Sequence, residues 1–166
     1  MHNSDGSVTT TTTHIENTVY AIIQGQAVVM HSEIETWTYA GATTTHGTGY
    51  TDYTYDDAGQ MTGAHTHLDP TTTTVNSDGS VTTTEAHVDN YYSVIHGELV
   101  LTHSDSDAWT RAGSNSTHTT SATDYYYDDN GKLTGAHGHS DATTWAYDEN
   151  EILSSTTWTH TENYYS

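Results

Sequence analysis

The chain repeats itself, and the repeat does not come out even. NSDGSVTT begins at Asn3 and again at Asn76, and YDDAGQMTGAHTH (Tyr55 to His67) returns as YDDNGKLTGAHGH (Tyr127 to His139). HIENTVY from His14, HVDNYYS from His87 and HTENYYS from His160 are three versions of one segment. The 166 residues therefore hold two units of about 73 and a surplus of about 20. A period of this length governs every reading of the fold, because units built alike must bury their surfaces against one another. The spacing is 72 between Gly59 and Gly131, Trp37 and Trp109, and His31 and His103, but 73 near the start of each unit. One residue is gained or lost between Asn17 and Ile22, which predicts a strand end or a bulge there.

Helix signals are nearly absent. Thr, Val, Ile, Tyr and Trp dominate, the residues of pleated, half-buried strands. Turn glycines recur at regular intervals, as Gln24-Gly25, Ala40-Gly41, Ala58-Gly59, Asp78-Gly79, His96-Gly97, Ala112-Gly113 and Asn130-Gly131. Such pairs supply the positive φ of tight hairpins. Two strands of about 5–6 residues and their turns fit each interval, so each unit reads as seven to eight short strands. The hairpin from Val19 to Met30, with its copy from Val94 to Leu101, is apolar on both faces and reads as central and covered.

These features predict an all-β chain of two small antiparallel sandwich-like domains in tandem. The expected boundaries are an N-terminal strand arm over 1–17, a first domain over 18–92 and a second over 93–166. Hydrophobic residues make up only 32% of the chain, so no large core is expected. With no cysteine, disulfides and thiolate metal sites are excluded.

The YDD-x-G-x-x-TGAH segments resemble YD repeats of the Rhs type. Tyr55-Asp56 with Gly59 and Thr62, and Tyr127-Asp128 with Gly131, Leu133 and Thr134, carry the resemblance. Tyr147-Asp148 with Ile152 and Leu153 is a third, looser copy. The resemblance implies β-hairpins of a long spiralling sheet. It covers only these segments, and it lacks the family's usual basic residue in one copy and the glycine in another.

Charge narrows the partners. Twenty-two acidic residues stand against one Arg and one Lys, a net charge of −20 with the 13 histidines neutral. Such a chain repels nucleic-acid phosphates and anionic membranes. No apolar run reaches the ~18 residues of a membrane span, and no signal-peptide pattern follows Met1. Lysine poverty with Thr, Ser, Tyr and Gly enrichment is typical of secreted surface proteins.

Several patterns carry chemistry. His65/His67 and His137/His139 place two imidazoles on one strand face, a chelating pair for Zn²⁺, Cu²⁺ or Ni²⁺. A third ligand would come from His31, His46, His103 or His118. These histidines share parity with Met61 and Leu133 and so face inward, unless Gly63 or Gly135 makes a bulge. Structural or surface histidines are the commoner outcome of such pairs. Glu33/Glu35, Asp56/Asp57, Asp105/Asp107 and Asp128/Asp129 suit Ca²⁺, although solvated charges and turn residues are the ordinary reading. Tyr53/Tyr55 and Tyr125/Tyr127 form platforms for sugars or, more commonly, for core and interface contacts. Asn115 opens the one N-glycosylation sequon. No nucleophile elbow or phosphate loop is present, so no enzyme is expected.

The uneven repeat favours a structural protein: a subunit of an extracellular, pilus-like homopolymer joined by strand complementation. The surplus can be assigned to either end, as Met1 to Asn17 or as Asp148 to Ser166. Of the two, the strand Val8, Thr9, Thr10, Thr11, Thr12, Thr13, His14 and Ile15 is the expected donor. Its alternation matches a sheet edge of its own unit, so register comes ready-made. The alternative is a secreted adhesin module that binds carbohydrate or a divalent metal.

Overall fold

The computed structural model describes residues 8–148 and 150–165. Nine strands follow one another: β1 (Thr9–Ile23), β2 (Gln26–Ala40), β3 (Thr43–Tyr55), β4 (Met61–Val75), β5 (Val81–Ile95), β6 (Glu98–Ala112), β7 (Asn115–Tyr127), β8 (Leu133–Tyr147) and β9 (Leu153–Tyr165). Each pairs antiparallel with the next, giving one sheet in the order β1 to β9. Among the described residues no helix is long and apolar enough to cross a membrane.

The all-β, antiparallel expectation holds. The layering and the strand length differ from it. The sheet is single and runs without a break through both units, and extensive contacts join only consecutive strands. The expected boundaries at 17/18 and 92/93 fall inside β1 and β5. Each glycine interval holds one long strand with its turn, not a hairpin of two short strands. The cause is visible from His31 to Tyr39, where charged or aromatic residues alternate with Ser, Ile and Thr along the whole strand. Nothing in that run asks the chain to turn.

Connections of three kinds occur, two tight turns followed by two longer loops in each unit. Gln24-Gly25 and His96-Gly97 have positive φ at both positions, 52° and 79° in the first and 50° and 82° in the second. These are type I′ turns, whose twist matches the flanking strands. Gly41-Ala42 and Gly113-Ser114 are two-residue turns with positive φ at the glycine alone, and the remaining connections are five-residue loops. Asp56 opens one by accepting hydrogen bonds from the Ala58 and Gln60 amides, each at 2.9 Å. Asp128 and Asp148 repeat the arrangement with Asn130 and Lys132, and with Asn150 and Ile152. The Tyr-Asp pairs thus sit at strand ends, where the aspartate caps the loop.

The sheet has two unlike faces. Residues directly opposite across an antiparallel pair share a face. One row on the first face reads Thr11, Thr38, Thr45, Thr72, Thr84, Thr110, Thr117, Thr144 and Thr157, a threonine on every strand. Neighbours in this row bond hydroxyl to hydroxyl, at 3.0 Å for Thr45–Thr72 and 2.9 Å for Thr84–Thr110 and Thr117–Thr144. Such pairs contribute about 0.2–1 kcal/mol each. Two rows along, the same face runs from Ile15 and Ile34 through Gly49, Leu68 and Val88 to Ser106, Ser121, Ser140 and Thr161. Toward the type I′ turns this face carries Tyr53, Ala64, Tyr92 and Leu101, then Tyr125, Ala136 and Tyr165.

No second layer covers either face among the described residues. Among the described residues only Ala64 and Ala136 are buried apolar side chains. The apolar hairpin from Val19 to Met30, expected to be central and covered, lies at the sheet's edge with Ile22 72% exposed.

Candidate functional site

The second face gathers the titratable groups. Eleven histidines lie on it: His14, His31, His46, His65, His67, His87, His103, His118, His137, His139 and His160. They stand opposite Glu35, Val19, Trp37, Asp52, Tyr50, Asp107, Asp124, Trp109, Tyr164, Glu162 and Asp141 respectively. The acidic residues Glu16, Glu33, Asp69, Glu85, Asp89 and Asp105 share this face.

A bulge places His65 and His67 here. Thr54 pairs with Gly63 and Tyr55 with Met61, so Thr62 is the extra residue. Parity flips at that point, leaving Met61 on the threonine face and the histidines on the other. Thr134 does the same ahead of His137 and His139. The shared parity with Met61 and Leu133 expected from the sequence is therefore broken by a bulge one residue before each glycine. Gly63 and Gly135 permit it: a Cβ at either would stand 2.6 or 2.8 Å from the carbonyl oxygen of Tyr92 or Tyr165.

Nearly every imidazole on the face meets a carboxylate. His31 and Asp52 approach to 2.6 Å, as do their copies in the second unit, His103 and Asp124. His46 meets Glu35 at 3.0 Å and His118 meets Asp107 at 2.9 Å. Those two rings also stack on Trp37 and Trp109, with centroids 3.9 and 4.4 Å apart. The hydrogen bond to Asp124 holds His103 above the ordinary imidazole range, against the pull of burial. The bond from His46 holds the Glu35 carboxyl below its usual range. Without these partners the face would be strained, because Glu16 stands opposite Glu33 and Asp89 opposite Asp105.

The densest group straddles β4 and β5. Asp89 Oδ1 lies 2.7 Å from His65 Nε2 and 3.0 Å from His67 Nδ1. His67 turns its Nε2 to Asp69 at 3.1 Å, and His87 Nδ1 bonds the same Asp69 oxygen from the next strand. Hydrogen bonding to Asp89 raises the His67 pKa. Burial pushes Asp89 up, but the bonds from His67 and His65 outweigh it and leave the carboxyl below its usual range. Ligand atoms of His67, Asp69 and His87 all lie within 4.8 Å of one another. Across β8 and β9 the corresponding residues are His137, His139, Asp141, Glu162 and His160. There His137 Nε2 meets Glu162 at 2.6 Å and His160 Nδ1 meets Asp141 at 2.7 Å. The bond to Asp141 raises the His160 pKa, and the bond from His137 lowers that of Glu162.

The structure thus joins His65 to His67 through a shared aspartate. It keeps the expected third ligands apart from that group: His31 and His103 bond Asp52 and Asp124, while His46 and His118 belong to the tryptophan row. Asp56 and Asp128 cap loops. The Tyr55 and Tyr127 hydroxyls donate to the carbonyls of Val29 and Leu101, at 3.0 and 2.7 Å, and so anchor strand to strand. Asn115 is exposed at the start of β7. The expected donor strand is already paired within the chain: Thr9 to Ile15 face Ala40 to Ile34. Residues 1–7 of the expected arm lie outside the described residues.

Sequence reasoning missed Asp69, Asp89, His87, Asp141, Glu162 and His160 as partners of the histidine pairs. The signal was available in the repeat: His67-Leu68-Asp69 returns as His139-Ser140-Asp141, and His87-Val88-Asp89 as His160-Thr161-Glu162. Comparison with family models, with curated proteins and with solved structures finds no match to this chain.

Proposed function

We propose that the chain is a structural protein, a self-assembling subunit of an extracellular, pilus-like filament that grows by exchange of edge strands. The observation that carries this reading is the equivalence of β1, β5 and β9. All three contain the HIEN-type segment, yet β5 is paired on both sides while β1 and β9 are each paired on one. β9 has β8 as β5 has β4, and β1 has β2 as β5 has β6. Each edge strand is an interior strand with half its hydrogen-bonding partners missing, and an unpaired edge templates another chain.

The strand count favours exchange over simple addition. Nine strands alternate in direction, so β1 and β9 run the same way. Two subunits related by translation would meet edge to edge in parallel, against the pattern of the whole sheet. If β9 of one subunit replaces β1 beside β2 of the next, every pair stays antiparallel. The incoming strand then inherits the register of β5 on β6. Each subunit advances the filament by eight strands, about 38 Å at ~4.8 Å per strand. A contact of one unlike pair of surfaces propagates as an open fibre unless it closes.

Electron microscopy of the purified chain tests this. Uniform fibres whose axial repeat equals eight strand spacings are expected. Deletion of residues 1–17 is expected to speed their growth, because it frees most of the β2 edge. A monomer that persists at every concentration and salt level would refute the reading.

A further inference from the structure

We infer that the histidine face holds a site for a divalent first-row transition-metal ion formed by His67, Asp69 and His87, and that the repeat positions His139, Asp141 and His160 close into a second such site on binding. The first site needs little rearrangement. Its three donor atoms lie within 4.8 Å of one another, and a tetrahedral ion with bonds of ~2.1 Å wants them about 3.4 Å apart. Side-chain torsions cover that difference. His67 and Asp69 stand two apart on β4, so they share a face, and His87 reaches the same aspartate oxygen from β5.

A second observation points to the same ion. His67 offers Nε2 to the site while its Nδ1 is held by Asp89 at 3.0 Å. A carboxylate behind a ligating imidazole fixes the ring and raises its donor strength. Asp89 is itself fixed by His65 at 2.7 Å. The repeat then supplies the same positions again. His139 and Asp141 occupy the β8 positions, His160 bonds Asp141 at 2.7 Å, Glu162 stands opposite His139, and His137 bonds Glu162 at 2.6 Å. All five positions recur at spacings of 72 or 73, the period of the chain. Among the described residues, however, only the first group has its donor atoms gathered. In the second, His160 Nε2 meets Glu162 at 3.2 Å, and the side chains must rotate to close on an ion.

The donor set selects the ion class. Two imidazole nitrogens and one carboxylate suit Zn²⁺, with solvent at the fourth position. Ca²⁺ prefers six to eight oxygens, which this group does not offer. The sites are accessible, with side-chain exposures of 24% for His67, 40% for Asp69 and 64% for His87. Two divalent ions would also offset part of the chain's −20 charge on its most acidic face.

Calorimetric titration of the chelator-treated chain with ZnCl₂ is the test, with Co²⁺ absorption reporting the coordination geometry. Two ions per chain are expected. His87→Ala or His160→Ala leaves one, and the double variant leaves none, with the β-sheet circular dichroism signal retained. Asp89→Asn weakens the first site about 10–100-fold. His65→Ala with His137→Ala removes no direct ligand and keeps both ions. Overturning results are no zinc uptake, unchanged stoichiometry in the His87/His160 double variant, or loss of both ions in the His65/His137 variant. The last would place the metal on the His-x-His pairs instead.

Discussion

At the scale of residues, the molecule is a set of imidazole–carboxylate pairs held at the surface of a sheet. His103 shows what this means for stability. Asp124 on β7 and Asp105 on its own strand face it, and Tyr91 on β5 lies against its ring. Its folded pKa is raised, so the folded state binds the proton more tightly than the unfolded chain. The stabilisation is complete below the unfolded value near ~6.5 and is lost as pH rises through the folded value. The Glu35 carboxyl, held low, acts at the other end: its contribution is present above the carboxylate range and is lost on acidification. Metal-free protein is therefore expected to melt at a lower temperature at pH 8 than at pH 6. In His103→Gln that difference shrinks, as thermal melts in chelator would show. An equal drop in wild type and variant would place the pH dependence elsewhere.

At the scale of elements, register decides which chemistry meets. The 72-against-73 spacing locates an irregularity between Asn17 and Ile22, and the structure puts it at Thr18. Asn17 pairs with Ser32 and Val19 with His31, leaving Thr18 over. In β5 the same segment lacks that residue and pairs Asn90 with Ser104 and Tyr91 with His103 without a gap. Deleting Thr18 should therefore convert β1 to the β5 form at a cost below about 1 kcal/mol. Deleting Thr36, where the ladder is regular, moves every residue on one side of it to the wrong face and should cost several times more. Urea unfolding of the two variants measures the contrast.

The same logic explains what was legible beforehand. Parity alone put His65 and His67 on the face of Met61, and the bulge at Thr62 reverses it, whereas strand content and the turn glycines follow from local sequence. Strand length did not, because the spacing of the turn glycines suits one long strand or two short ones. Nor did the partners of the histidines. Asp89 is remote in sequence from His67, and only the length of the Asn76–Ser80 loop brings β5 into the register that joins them.

At the scale of the whole molecule, stability is one-dimensional. Strands touch their immediate neighbours and little else, as in repeat proteins whose stability sums unit and interface contributions. With only two apolar side chains buried among the described residues, no common core ties β1 to β9. Unfolding should begin at the edges and move inward. Amide hydrogen exchange is expected to be fastest in β1 and β9 and slowest in β4 to β6; uniform protection across all nine strands would indicate a shared core and contradict this account.

A meander whose ends lie on opposite edges also has a mechanical character. Tension between the two ends crosses all eight strand pairs in series, so each carries the full load and the weakest gives way first. Each strand pulled free releases roughly 45–50 Å of extended chain. The molecule yields in steps and lengthens many-fold before its backbone is taut, so it behaves as an extensible link more than as a rigid brick.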